Sequence, residues 1–303
     1  MANALMPLPG SAVAIAATSA RNDADLVASW IASLRSKHSQ RNFVITADRF
    51  MAALGCTLRE ATVEDVRRAL EQITAGHPAS TARQYTQRCK SLLGYAHRLG
   101  YMPFNAGVAI KPGPEVRGLA KRIIGELDVR DIIRSADKPR DRILISVAYA
   151  AGLRVSELVG LNCGDVIERP NDRRVQLNVL GKGGNERQVL LPETLGPMVL
   201  ALTAGRYITD PVFRSQKGER RLTDRAVNHL IKRLALQAGL DPKLSAHWLR
   251  HAHASHALDR GAPLSLVAST LGHANIATTS VYLHAKPGTS SGDQLDPKVW
   301  EAK

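Results

Sequence analysis

The sequence predicts a mainly α-helical protein with one small β-sheet, arranged as two domains. Three observations support this fold class. Apolar residues recur at helical spacing through most of the 303-residue chain. The period changes to strand-like alternation only around residues 174–192, and a stretch rich in proline and glycine interrupts the helices near residue 112. A chain of this length can bury two cores of ordinary size.

The charge balance points to a polyanionic partner. The chain carries 41 Lys and Arg against 27 Asp and Glu, a net charge of +14. Residues 1–112 contribute 13 basic and 7 acidic residues and the remainder 28 and 20, so both halves are basic. We expect nucleic acid before a membrane surface, while a basic charge that only maintains solubility is the plain alternative.

The N-terminus and the cysteines indicate a cytoplasmic protein. Residues 1–20 are rich in alanine but lack a basic segment ahead of the apolar one, so we predict a disordered lead-in and no signal peptide. No apolar run approaches the length of a membrane span, so no membrane association is expected. The three cysteines lie far apart, which fits a reducing compartment and gives no metal-binding spacing.

Four helices are predicted for a first domain over residues 21–108. The first two lie in "DLVASWIASL" and "NFVITADRFMAAL". The third begins with Thr62 and Asp65 at the spacing of a capping box. The fourth, in "STARQYTQRCKSLLGYAHRLG", has apolar positions three and four residues apart and stops at Gly100.

The polar face of the fourth helix is a candidate DNA-reading surface. Arg83, Gln87 and Lys90 lie opposite its apolar positions. Such side chains can contact phosphates and base edges. A solvated helix face has the same composition, so that interpretation stays open.

A linker is predicted over residues 109–117, where "AIKPGPEV" places two prolines and a glycine between helices. The second domain, residues 118–285, is predicted to be helical apart from a β-hairpin in "RVQLNVLGKGGNERQVLLP". The tail, residues 286–303, has a helix start at Asp296 and Pro297.

Several polar clusters in the second domain need a common explanation. Arg154 stands at a break between helices with Glu157 three residues on, and Lys182 lies among glycines at the hairpin tip. His247 and Arg250 are spaced to share a helix face, and His273 precedes Tyr282. Each has a structural explanation when taken alone, as a helix cap, an exposed turn, a surface residue or a core residue.

Together these residue types suit phosphoryl transfer to a protein nucleophile. Guanidinium groups match the charge that spreads over phosphate oxygens, and a histidine can add a further hydrogen bond. A tyrosine hydroxyl needs a proton acceptor before it attacks, and a lysine can protonate the leaving oxygen. The sequence has no nucleotide-binding loop, no acidic cluster for Mg²⁺ and no zinc spacing, so we expect neither metal nor cofactor.

Four stretches in order resemble the tyrosine recombinase (phage integrase) family: "AGLRVSEL", "GKGGNERQVLLP", "HWLRHAHASHAL" and "LGHANIATTSVYLHA". The resemblance covers residues 118–285 and implies the α+β catalytic domain of that family. The first domain is similar to the family's SAM-like core-binding four-helix domain. The short lead-in makes the layout similar to the compact, two-domain Xer-like members.

The resemblance implies a role for each candidate residue. Tyr282 would attack the scissile phosphate and form a 3′-phosphotyrosine, while His247 would accept its proton. Arg154 and Arg250 would hold the phosphate oxygens.

The remaining roles are supporting ones. His273 would be a further hydrogen-bond donor, Lys182 would protonate the 5′-oxygen and Glu157 would support the first arginine. Asn185 and Ala106 depart from the common family pattern, but neither is one of the six catalytic positions.

The implied partner is double-stranded DNA at a specific site, bound by a homo-oligomer that forms a tetrameric synapse. Strand cleavage and rejoining would need neither metal nor ATP. The tail would dock onto a neighbouring protomer, with docking in cis or a disordered tail as the open alternatives. Two alternatives remain: a DNA-binding protein of the same fold without recombination activity, and a nicking-closing activity like that of type IB topoisomerases.

Overall fold

The computed structural model describes residues 18–34, 37–114, 123–181, 183–215, 218 and 220–282, with only the backbone of residues 37–39. The chain divides into two compact units, residues 1–117 and 118–303. The predicted tail and all but the last three residues of the predicted lead-in lie outside the described residues.

The described part of the first unit contains four α-helices around one apolar core. The helices are α1 (Asp23–Ala32), α2 (Lys37–Leu54), α3 (Val63–Thr74) and α4 (Ala79–Arg98), followed by a 3₁₀ turn at Ala106–Ala109. The four predicted helices are therefore confirmed. Buried side chains from all four helices form the core, among them Leu26, Phe50, Leu70 and Leu92.

The predicted ends of α3 and α4 are also present. Thr62 and Asp65 form a reciprocal capping box at the start of α3. Gly100 follows α4 with a φ of +68°, a left-handed conformation that glycine adopts without the Cβ penalty.

The second unit contains eight helices in its described part. They are α5 (Glu126–Arg134), α6 (Pro139–Ala150), α7 (Val155–Gly160), α8 (Gly196–Thr203), α9 (Asp224–Gln237), α10 (Ala246–Asp259), α11 (Leu264–Leu271) and α12 (Ala277–Ser280). The predicted class, mainly helical with a small sheet, is confirmed. The α8 helix was not predicted, because its eight residues are almost uniformly apolar and show no helical period.

An antiparallel sheet of three strands, β1 (Val166–Glu168), β2 (Val175–Leu180) and β3 (Glu186–Leu190), lies beside the helices. The predicted hairpin is β2–β3, with Leu177 opposite Val189. The additional strand β1 has three residues, too few for an alternating pattern to be recognised.

The core of the second unit positions the start of α7. Helix α10 packs against α6, and α6 ends where Gly152 adopts a φ of +58°. A Cβ atom on Gly152 would lie 2.7 Å from the Leu271 side chain and 2.8 Å from that of His253. Because glycine has no Cβ atom, the chain can pass this close to both side chains and turn sharply into Arg154, the residue that precedes α7.

None of the helices in the described part of the chain combines the length and apolar character that crossing a membrane requires.

Candidate active site

The centre of the site is the buried carboxylate of Glu157, whose side chain is 3% exposed. Arg154 donates to it from Nη1 at 2.7 Å and from its backbone N–H at 2.9 Å. Arg187 binds it through two nitrogens, at 3.0 Å and 2.8 Å. Burial alone would raise the pKa of Glu157, but the hydrogen bonds from Arg187 and Arg154 outweigh it and lower the pKa.

Arg250 lies next to Glu157 and the two other arginines and is 2% exposed. It donates to the carbonyl oxygens of Gly152 at 2.6 Å and Leu271 at 2.7 Å, and its Nη1 lies 4.0 Å from Glu157. Burial and the nearby charge of Arg154 lower the pKa of Arg250 to about 10, so the guanidinium remains charged at neutral pH. We call Arg154, Arg187 and Arg250 around Glu157 the arginine cluster.

A cavity of about 540 Å³ opens beside the arginine cluster. Charged or polar side chains and small residues line it, among them Arg154, Arg187, His273, Ala274, Asn275 and Thr278. Arg154 is the most accessible of the three arginines, with 38% of its side chain exposed. The cavity can therefore receive an anionic group against a permanently charged guanidinium.

His273 faces the same cavity and is neutral at physiological pH. Its Nδ1 lies 2.7 Å from the hydroxyl of Thr279. Burial, reinforced by the positive charges of Arg250 and Arg154, lowers the pKa of His273 to about 4. One ring nitrogen therefore carries a proton at neutral pH, and the imidazole can donate one hydrogen bond.

Tyr282 is buried near the arginine cluster with 6% of its surface exposed. Its ring packs in a small apolar group with Ala254, Val267 and Leu271. Its hydroxyl lies 2.6 Å from Nδ1 of His251. Burial raises the pKa of this hydroxyl, and the positive charge of Arg250 partly opposes the rise. The hydroxyl is therefore protonated at neutral pH in this arrangement.

The histidine on the Tyr282 hydroxyl differs from the one that the sequence suggested. His247 is exposed, and its ring centroid lies 4.0 Å from that of His251, which makes the contact. The two histidines are one helical turn apart on α10. The four-residue spacing could have indicated His251 as a second candidate beside His247, because residues i and i+4 share a helix face.

Sequence reasoning also missed Arg187. The residue lies on β3 two positions before buried Val189, so both side chains point to the same face of the sheet. An arginine on the buried face of a strand needs an anionic partner, and here Glu157 supplies it. The identity of that partner depends on tertiary packing, which the local pattern does not contain.

Lys182, predicted as the general acid, lies outside the described residues. The neighbouring Gly183 and Gly184 have φ values of +83° and +84° at the tip of the β2–β3 hairpin.

In the first unit, two of the three predicted DNA-reading residues make internal contacts. Arg83 donates to the carbonyl of Gly113 and Lys90 to that of Ile110. The chain after the 3₁₀ turn therefore packs along one edge of the polar face of α4. Gln87 is exposed.

Across the described residues, no group of three or more His, Cys, Asp or Glu side chains is placed to hold a metal ion.

Comparison with known proteins assigns the family. The profile of the phage integrase family matches residues 121–288, more than half of the chain. The chain belongs to the phage integrase family. Relatives in this family include tyrosine recombinase XerD of Pseudomonas putida, which is 36% identical over 225 residues, 68% of this chain and 71% of that protein. Tyrosine recombinase XerC of Corynebacterium efficiens is 32% identical over 250 residues, 78% of this chain and 77% of that protein.

Solved structures of integrases and recombinases share the fold. The Tn1549 transposon integrase in complex with circular intermediate DNA gives a TM-score of 0.69 at 17% identity, covering 91% of this chain and 99% of that one. A lambda integrase dimer bound to a COC′ core site gives 0.70 at 16% identity, covering 89% and 79%. At this level of identity the likeness describes the architecture alone.

Proposed function

We propose that this phage integrase family member is a site-specific DNA recombinase that cuts and rejoins strands through Tyr282. The observation that carries the proposal is the arginine cluster with a buried tyrosine beside it. A phosphodiester bound at this cluster meets fixed positive charge next to a potential oxygen nucleophile.

The chemical step transfers a DNA phosphoryl group to the protein. The Tyr282 oxygen attacks phosphorus, the bond from phosphorus to the 5′-oxygen breaks, and a 3′-phosphotyrosine forms. The tyrosine loses its proton to an imidazole, and the leaving 5′-oxygen gains one from Lys182. The attack of that 5′-hydroxyl on the phosphotyrosine reverses the step, and attack by another strand's 5′-hydroxyl exchanges partners.

Arg154, Arg250 and His273 stabilise the phosphate in this proposal. Arg154 is accessible from the cavity and contacts the phosphate oxygens directly. Arg250 uses two of its five N–H groups on backbone carbonyls, which leaves donors for the phosphate. His273 adds a neutral donor, and Glu157 keeps the arginines oriented without neutralising all of their charge.

The proton acceptor belongs to the pair His247 and His251. His251 already contacts the hydroxyl, and His247 lies against the His251 ring. A phosphodiester cannot reach Tyr282 as it is packed, because the residue is 6% exposed. We therefore infer that residues 277–282, the tyrosine segment, shift before cleavage and that His247 becomes the acceptor for the shifted hydroxyl.

The first unit is proposed to read the DNA site as a core-binding domain. Gln84 and Gln87 are exposed on α4, and Arg88 is held beside them by a 3.0 Å bond to Gln84. Glutamine amides can pair with adenine edges in the major groove. Arg83 and Lys90 both donate to carbonyl groups of the protein itself. In this proposal they therefore contact only the phosphates of the DNA backbone and read no bases.

The assembly proposal follows from the reaction. Exchange between two duplexes requires four cleaving tyrosines, so we propose a homotetramer on two sites, acting on DNA in the cytoplasm. In this proposal, residues 21–108 and 118–285 act as the core-binding and catalytic domains, and the tail, residues 286–303, docks on a neighbouring protomer.

The decisive experiment is covalent trapping. Wild type, Tyr282→Phe and Tyr149→Phe are incubated with nicked duplexes from DNA flanking the gene, without metal or nucleotide, and run on a denaturing gel. Tyr149 is a matched control, because its hydroxyl also contacts a histidine of α10, His256, at 2.9 Å. We expect adducts with wild type and Tyr149→Phe and none with Tyr282→Phe.

The alternatives give different results in the same series. Specific DNA binding without any adduct would favour a binding protein of this fold. Relaxation of a supercoiled plasmid that lacks a specific site would favour a topoisomerase-like activity. An adduct that survives Tyr282→Phe would remove Tyr282 as the nucleophile.

A further inference from the structure

Thr279 is a buried hydroxyl residue next to two groups of the proposed reaction. It lies in α12, three residues before Tyr282, and none of its surface is exposed. Its Oγ1 is 2.7 Å from Nδ1 of His273. Its carbonyl accepts a 3.1 Å hydrogen bond from the backbone N–H of Tyr282. Thr279 thus connects His273 to the tyrosine segment.

The proton on the His273 ring can occupy either nitrogen. A neutral imidazole carries one N–H and one acceptor nitrogen, and its hydrogen-bond partners decide which is which. His273 is neutral at physiological pH, since burial and the arginine cluster lower its pKa to about 4. If the Thr279 hydroxyl donates to Nδ1, the proton must be on Nε2. If Thr279 accepts instead, Nε2 has no proton to give.

Only the arrangement in which Thr279 donates to Nδ1 lets His273 donate a hydrogen bond to a phosphate. Phosphate oxygens accept hydrogen bonds, so a useful His273 must present an N–H on the ring nitrogen that Thr279 does not contact. Burial and the positive charges of Arg250 and Arg154 disfavour a second ring proton that would make both nitrogens donors.

We propose that Thr279 is a positioning residue, whose hydroxyl donates to Nδ1 of His273 and thereby fixes the tautomer that carries its proton on Nε2. Only the part in which the Nε2–H group donates to a phosphate rests on the proposed function. The tautomer itself is a property of the free protein.

The test uses nitrogen chemical shifts, which distinguish the tautomers directly. Histidines are labelled with ¹⁵N, and long-range proton–nitrogen spectra are recorded at pH 7 for wild type, Thr279→Val, Thr279→Ser and Thr278→Val. The chain has 10 histidines, so a His273→Gln spectrum assigns the resonance. Thr278 is the matched control, because it neighbours Thr279 but is exposed and lines the cavity.

We expect the Nε2–H tautomer in wild type, Thr279→Ser and Thr278→Val. Thr279→Val keeps the shape and removes the hydroxyl, so it should shift His273 toward a mixture or toward Nδ1–H. The rate of single-turnover cleavage by Thr279→Val should fall about 10-fold to 100-fold, because the N–H of His273 is then wrongly placed and part of the contribution of a positioned donor to the rate is lost. The affinity for DNA should stay unchanged.

Two results would overturn the proposal. One is an Nδ1–H tautomer in the wild type. The other is an unchanged tautomer in Thr279→Val, which would assign any loss of cleavage to packing. Failure of the wild type to form an adduct would instead count against the proposed function, because the tautomer measurement does not depend on cleavage.

Discussion

The arginine cluster and the tyrosine segment belong to the same unit, yet they are held in different ways. Arg250 is fixed by two backbone carbonyls, and the Glu157 carboxylate is shared by two other arginines. Tyr282 follows a helix of four residues and is held by one side-chain hydrogen bond and a small apolar group. The difference indicates a phosphate site that is prepared in advance and a nucleophile that can be moved at modest cost.

The largest expected effect is that of Glu157→Ala, which removes the carboxylate between the arginines. Breaking a buried ion pair on one side typically lowers the free energy of unfolding by about 3–5 kcal/mol, because the remaining charges are left uncompensated. Urea denaturation of the purified protein measures the change. Glu126→Ala, which removes an exposed pair with Arg260, is the control and should change little. Equal effects for the two variants would contradict the special role of Glu157.

Arg187→Lys should have the next largest effect. Lysine keeps the charge but cannot reproduce the two bonds to Glu157 together with the 2.8 Å bond from Nε to the Thr270 carbonyl. The expected loss is about 1–3 kcal/mol in the same denaturation experiment. An unchanged denaturation midpoint would show that a positive charge at position 187 is sufficient and that the hydrogen bonds of Arg187 add no stability.

Gly272→Ala should destabilise the cluster through the backbone. Gly272 has a φ of +64°, and an added Cβ would lie 3.1 Å from the Arg187 side chain. We expect a loss of about 1–3 kcal/mol in unfolding free energy. Gly239→Ala separates the two causes, since it has a φ of +72° with no atom near the added Cβ. If the two variants lose the same stability, contact with Arg187 contributes nothing.

Acid should weaken the cluster. The pKa values of His273 and Glu157 are lower in the folded protein, so the unfolded chain binds more protons and stability falls as pH falls. The His273 contribution is complete above pH ~6.5 and is lost toward pH 4, while that of Glu157 is lost below pH ~4.3. Between pH 7 and 4.5, wild type should lose about 1 kcal/mol more than His273→Gln, after allowance for solvent screening. Parallel stability profiles would disprove the low pKa.

Among these substitutions, Tyr282→Phe should have the smallest effect on stability. It removes one hydrogen bond to His251 and leaves the ring in place, so the expected loss is at most about 1.5 kcal/mol. Thermal unfolding of Tyr282→Phe beside Tyr149→Phe provides the measurement. A loss as large as that of Glu157→Ala would mean that the tyrosine segment is as firmly held as the arginine cluster.

Much of the fold was predictable because its signals are local. Helical periodicity located α4, the capping box predicted at Thr62 marks the start of α3, and the Gly-Lys-Gly-Gly stretch marked the hairpin tip. The same local character explains the short elements that were missed, β1 and α8. Neither is long enough, or patterned enough, to differ from a loop.

The site was predictable where residues near in sequence act together. Arg154 and Glu157 are paired across one turn, as their spacing indicated. The partners of Arg187 and His251 became visible only in three dimensions, because they lie 30 and 31 residues away, although the spacing of His251 from His247 was already in the sequence. The internal contacts of Arg83 and Lys90 were not visible in the local pattern for the same reason, since the carbonyls that accept from them follow 20 to 30 residues later.

The charge balance of the arginine cluster has a consequence for handling the protein. Three guanidinium groups surround one carboxylate, so the folded state confines two more positive charges than it compensates there, and the cluster is electrostatically frustrated. A small anion that binds the folded form relieves this repulsion and raises stability by an amount that grows with the logarithm of its free concentration once that concentration exceeds its Kd. Phosphate or sulfate in a purification buffer should therefore act as a folding ligand, and melting temperatures should depend on which anion the buffer contains.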